Sequence, residues 1–142
     1  MIRATFDHLV VAAATLEQGE DHLESLLGVR PQRGGKHVAM GTHNSLLKLD
    51  ERSFLEVIAI DPDGAAPARP RWFALDTDAL QASLREAPRL IHWVARTDDI
   101  DAARRVSPSI RATSTRWRAA LSRGESRFPP TAICPATAFC RR

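Results

Sequence analysis

The sequence predicts an α+β domain built on a β-α-β-β-β module. Three observations carry this. Short runs of strand-forming, largely apolar residues recur at 5–12, 37–42, 45–49 and 53–60, as half-buried strands require. Between the first two lies a stretch whose leucines are spaced for a helix. The opening order, strand then helix, then returns over residues 89–105, a weak internal duplication.

Each element has its own local reason. Residues 5–12 alternate and are rich in Val and Ala, which suits a pleated strand. Thr15 is a fitting N-cap, with Gln18 at the capping-box spacing. Leu16, Leu23, Leu26 and Leu27 then form one helical face, and Gly28 ends the helix. Arg33-Gly34-Gly35 reads as a turn. Strands at 37–42 and 45–49 are expected to meet in a tight turn at His43-Asn44, and Asp50-Glu51-Arg52 turns into the strand 53–60. Pro62, Pro67 and Pro70 keep 61–71 out of helix. A short helix follows over 75–85, capped by Asp76 or Thr77, then a strand at 89–96 and a helix from Asp98 to Arg105.

With 142 residues, 44% of them hydrophobic, the chain can bury one real core. It has no apolar run of about 18 residues and no basic-then-apolar leader. A cytoplasmic protein without a membrane partner is expected. Cys134 and Cys140 lack a C-x-x-C spacing and read as free thiols. The net charge of +3 raises nucleic acid as a partner, but its distribution removes it. Residues 1–106 carry 13 Lys and Arg against 16 Asp and Glu, a net −3, while 107–142 carry 7 Arg against 1 Glu. The basicity belongs to the tail, which has no interleaved aromatics. A DNA-binding tail, with its steep salt dependence, ranks last among the readings.

One residue stands out chemically. Glu56 sits inside Phe54-Leu55-Glu56-Val57-Ile58-Ala59-Ile60, where alternation puts it on the face of Phe54, Ile58 and Ile60. An ionised carboxylate there costs several kcal/mol, roughly, unless paired, protonated or metal-bound. His8 and His92 interrupt two other apolar strands in the same way. Taken singly, each has a plainer reading: a hydrogen-bonded core histidine, or a glutamate paired with arginine. His43 and Asn44 read as turn chemistry, His22 and His37 as solvated, and Trp72 and Phe73 as a cap on the core.

Five segments resemble the glyoxalase-like proteins of the vicinal oxygen chelate superfamily. They are Asp7-His8-Leu9-Val10, Gly41-Thr42-His43-Asn44-Ser45-Leu46-Leu47, Phe54-Leu55-Glu56-Val57-Ile58-Ala59, Pro70-Arg71-Trp72-Phe73-Ala74-Leu75 and His92-Trp93-Val94-Ala95-Arg96-Thr97. The resemblance implies two β-α-β-β-β modules cupped around a divalent metal. Module one would span 5–60, a linker 61–88, and the start of module two 89–105. It also implies His8, Glu56 and His92 as metal ligands, with no counterpart here for a fourth. Zn, Ni, Fe, Mn or Co would suit such ligands, and Glu56 would be a ligand or a general base. The implied activity is that of a lyase, isomerase or dioxygenase on a small oxygenated substrate. The alternative is a non-catalytic protein of the same fold that sequesters a small ligand. A homodimer pairing two first modules is a further expectation.

The composition break after residue 105 suggests a reading-frame shift near Arg104 or Arg105, which would leave module two incomplete and the activity impaired. Such an origin requires the alternative frame of the gene to encode Met-Ala-Arg-Gly and Leu-Leu-Pro-Thr. A naturally irregular basic tail over 106–142 is the other reading.

Overall fold

The computed structural model describes residues 4–106 and 132–133. Among the described residues six strands form one mixed sheet, in the order β2-β3-β4-β1-β5-β6. They are β1 (Ala4–Ala12), β2 (Gln32–His37), β3 (Thr42–Lys48), β4 (Phe54–Ile60), β5 (Arg89–Thr97) and the two-residue β6 (Ala132–Ile133). The helices are α1 (Leu16–Leu27), α2 (Asp78–Glu86) and α3 (Ile100–Val106). The central strand β1 runs parallel to β4 and antiparallel to β5, so it joins the first module to the repeated strand. β6 extends the sheet where an irregular tail was expected, pairing with Ala95 and Arg96. The rest of that tail, with both cysteines and the remainder of the supposed out-of-frame segment, lies outside the described residues.

Two apolar layers sandwich the sheet. On one side α1 lays Leu16 and Leu23 over Val11, Leu55, Val57 and Ala59. On the other, Leu75 and Leu84 pack over Val10, Ala12, Ile58 and Val94, with Trp72, Phe73 and Leu80 at the margin. Fully burying a Val or Ile such as Val57 or Ile58 contributes about 1.5–3 kcal/mol. We call the first side the helix face and the second the site face. α1 starts as expected: the Gln18 backbone N–H donates to Thr15 Oγ1 (3.1 Å), while Gln18 Oε1 accepts from the Ala14 N–H (2.8 Å). Gly28 closes it in the left-handed conformation, its N–H bonded to the Glu24 carbonyl.

Several local expectations are corrected. Leu26 and Leu27 are exposed rather than part of the buried stripe; Gly19 and Glu20 fill that stripe beside Leu16 and Leu23. The hairpin does not turn at His43-Asn44, which lie inside β3. It turns through Val38–Met40 and Gly41, whose φ of 56° supplies the left-handed corner. Arg33-Gly34-Gly35 is not a turn but an irregularity within β2. α2 begins at Asp78, later than the expected 75, because Leu75 belongs to the preceding tight turn, Trp72–Ala74. In that turn Phe73 and Ala74 both take positive φ, of 58° and 57°.

Candidate functional site

The geometry of β1 explains how two polar side chains come to share one buried corner. Phe6 pairs with Ala95 of β5 and His8 with Val94, so Asp7 is an extra residue, a β-bulge. The bulge breaks the alternation, and Asp7 and His8 stand side by side instead of on opposite faces. His8 Nδ1 donates to Asp7 Oδ2 at 2.9 Å. Behind Asp7, Arg96 Nη2 on β5 pairs with its other oxygen, Oδ1, at 2.5 Å.

On the opposite side of His8, its Nε2 lies 3.4 Å from Glu56 Oε2 on β4. Phe54, directly across from His8 in the parallel register, stacks on the imidazole at 4.4 Å and 15°. Glu56 Oε1 accepts a hydrogen bond from Asn44 Nδ2 on β3 at 2.7 Å. Asn44 Oδ1 accepts in turn from the Gly35 backbone N–H of β2 at 2.9 Å. The result is one relay, Arg96–Asp7–His8–Glu56–Asn44–Gly35, crossing five neighbouring strands.

Acidic and basic groups alternate along this relay, and each partner shifts the next toward its charged form. Burial alone would raise the Glu56 pKa. The hydrogen bond and charge of His8, with the Asn44 amide, overcome that and hold it below the ordinary carboxylate value. Burial would lower His8, but Asp7 and Glu56 together raise it above an ordinary imidazole. Asp7, also opposed by burial, is lowered by His8 and Arg96. Among the described residues no arginine pairs with Glu56; a titratable imidazole does.

His92 occupies the same face but joins a different group. It lies across from Val10, and Val10 in turn is across from Glu56, so a strand intervenes. Its ring contacts Phe73 at 5.2 Å. His37, expected to be solvated, is buried: its Nδ1 is 2.9 Å from Thr42 Oγ1 and its ring meets Trp72 edge-on at 5.4 Å. Burial drives its pKa down to about 4, only partly opposed by the charge of Glu56. The three histidines of the site face thus each rest on an aromatic ring. A cleft of about 380 Å³ lies elsewhere, at the start of α1 between Thr15, Arg33, Lys36, His43 and Asp61. Its cations are already engaged, Lys36 by Asp61 at 2.8 Å and Arg33 by Glu17 and Glu20.

A divalent ion fits two of these side chains. Two ligands held at about 2.1 Å from one ion stand roughly 3–3.5 Å apart, and the His8 Nε2 to Glu56 Oε2 separation of 3.4 Å is of that size. Asp7 on the far nitrogen is the outer partner that metal-binding imidazoles usually have. His92 lies one strand away from this pair, and no group of three His, Cys, Asp or Glu arranged to hold a metal ion occurs among the described residues. Asp7, Asn44 and Arg96 carry no signal in the sequence that marks them as site residues. Only the doubled glycine opposite Asn44 hinted that a backbone approaches closely there.

The mixed sheet with its β-α-β-β-β module, together with a family-model match over most of the chain, places the protein in the vicinal oxygen chelate class. The family model of the glyoxalase-like domain matches residues 6–137, and the chain belongs to that family. The match continues past residue 105. Two solved structures of Streptomyces coelicolor methylmalonyl-CoA epimerase variants, each in complex with 2-nitronate-propionyl-CoA, share the fold. One is 16% identical, covers 80% of this chain and 79% of that chain, and has a TM-score of 0.53. The second is 15% identical, covers 80% and 78%, and has a TM-score of 0.50. Among curated proteins nothing matches the chain. Among the described residues no helix is long and apolar enough to cross a membrane.

Proposed function

We propose that the chain acts as a cytoplasmic lyase or isomerase on a small oxygenated molecule, with His8 and Glu56 holding a divalent metal ion. The observation that carries this reading is the buried pair itself, His8 Nε2 facing Glu56 Oε2 at 3.4 Å with Asp7 behind the imidazole. When bound, such an ion stabilises negative charge developing on a substrate oxygen. The chain's own residues supply the rest. Glu56 is a buried carboxylate at that position, and would take a proton from a carbon next to a carbonyl where substrate displaces it as a ligand. Asp7 fixes the orientation of the imidazole, and Phe54 closes its outer face. Of the chemistries the family resemblance implies, proton transfer fits a carboxylate–imidazole pair better than oxygen insertion does. His92 and groups from the segment after residue 106 would have to complete the metal set. A chain lacking them would be impaired.

Metal analysis tests the reading directly. The purified chain should bind about one divalent ion, and His8→Ala or Glu56→Gln should lower the affinity about 100-fold or more while leaving the circular dichroism spectrum intact. Proton exchange into a panel of acyl-CoA thioesters and 2-oxo acids, followed by NMR in deuterated water, then reads the reaction class. Ligand binding by a protein that takes up no metal would support sequestration instead. Oxygen consumption without proton exchange would point to dioxygenase chemistry.

A further inference from the structure

The β2–β3 pair contains a feature that the pairing of His8 with Glu56 does not explain. Arg33 pairs with Ser45 and Lys36 with His43, so both Gly34 and Gly35 stand opposite the single residue Asn44. Neither glycine has a positive φ. Their lack of side chains therefore answers a need for space or for access, not for an unusual backbone.

The two glycines differ in what surrounds them. A Cβ at Gly34 would lie 2.2 Å from Asn44 Oδ1 and 3.2 Å from Asn44 Cγ, whereas a Cβ at Gly35 would meet nothing within 4 Å. Gly35 instead donates its backbone N–H to Asn44 Oδ1 at 2.9 Å. A backbone N–H can only donate, so it decides which end of the amide it holds. Oδ1 must face β2, and Nδ2 must face Glu56. Glu56 Oε1 is consequently tied to a neutral donor, and Oε2 is the oxygen left facing His8.

We propose that Asn44, seated by the Gly34–Gly35 bulge, is the positioning residue for Glu56, fixing which carboxylate oxygen is turned toward His8 and the metal. This rests on the reading of Glu56 as a metal ligand and base. The neutrality of the amide matters as much as its reach. It occupies one oxygen without cancelling the charge, as an arginine would, so the carboxylate keeps its affinity for a cation. The bulge acts at one remove: Gly34 gives the amide room, and Gly35 sets its orientation.

The two glycines provide a matched pair of variants, because alanine is conformationally acceptable at both. Gly34→Ala must displace the Asn44 amide. Gly35→Ala keeps the N–H and enters open space. In the metal-free full-length chain, the Glu56 carboxyl ¹³C resonance and the Asn44 side-chain amide protons should shift together in Gly34→Ala and Asn44→Leu, and stay in place in Gly35→Ala. Cobalt(II) titration should then show about 10–100-fold weaker binding for the first two variants and a change within about twofold for the third. Melting curves confirm that each variant is folded. An unmoved Glu56 resonance in a folded Gly34→Ala chain overturns the proposal whatever the metal does. So does cobalt affinity equal to that of the parent in both Gly34→Ala and Asn44→Leu. If the resonances move as expected but the parent itself takes up no metal, the positioning role stands and the metal reading fails.

Discussion

Glu20 and Glu56 lie on opposite faces of the same sheet, each with its side chain almost wholly buried (4% and 9% exposed). Glu20 on α1 is gripped by Arg33 Nε at 2.6 Å and Arg30 Nη2 at 3.2 Å, and Ser45 donates its hydroxyl to it. Glu56 on β4 is held by His8 and Asn44. Consecutive residues of β3, Asn44 and Ser45, thus serve carboxylates on opposite sides of the sheet. Guanidinium partners stay charged at every working pH and leave their carboxylate no free valence. An imidazole and an amide leave it a partner that can exchange a proton or give way to a cation. Burial of an acid therefore does not by itself mark a site; the chemistry of what neutralises it does.

The largest expected effect separates the two carboxylates. Glu20→Ala unties α1 from β2 and β3, and should lower stability by about 3 kcal/mol, a fall in Tm of roughly 10 °C, with divalent-ion binding unchanged. Glu56→Gln should do the reverse. The replacement is nearly isosteric, its carbonyl can still accept from Asn44, and its amide can donate to a neutral His8. Stability should stay within about 1 kcal/mol while ion binding is lost. Melting curves beside metal titrations of both variants check this, and loss of binding in Glu20→Ala with an unchanged Tm would collapse the comparison.

Acid should act on the site face first. His37 titrates near 4 when folded and near 6.5 when unfolded, so below pH 6.5 the unfolded chain binds the extra proton. Its contribution is fully present above 6.5 and drains away as the pH falls toward 4, by up to about 3 kcal/mol. Urea midpoints taken across that window should decline, and His37→Gln should flatten the decline.

The smallest effect concerns the turn beside the site. Ala74 is exposed and has φ 57°. Ala74→Gly removes a left-handed alanine and should raise stability by about 1 kcal/mol. If the denaturant midpoint falls instead, the turn is held by something other than local backbone energetics.

Much of this architecture can be read from local signals. Thr15, Gln18 and Gly28 mark α1 because caps depend on near neighbours, and Glu56 declared itself by interrupting an apolar run. What stayed hidden depends on partners across the sheet. Asp7 sits next to His8 in sequence, and strict alternation sends them to opposite faces; only the bulge against β5 brings them together. Asn44 reads as a turn residue because asparagine tolerates positive φ, while the true corner at Gly41 lacks the usual Asn-Gly or Asp-Gly signature. His37 looked solvated at a strand end, but Trp72, contributed by a distant turn, covers it. His92 belongs with His8 and Glu56 only through family resemblance, and the register places Val10 between His92 and Glu56.

The relay across five strands also bears on how the chain reaches its folded state. Every link except Asp7–His8 joins residues from different strands, and the parallel β1–β4 pair can form only after the intervening chain has closed a long loop. The cap and first turn of α1 need no such closure. A refolding chain should therefore regain helical signal before it regains the capacity to hold a ligand or an ion. Whatever stabilises the completed relay would then slow unfolding more than it speeds folding.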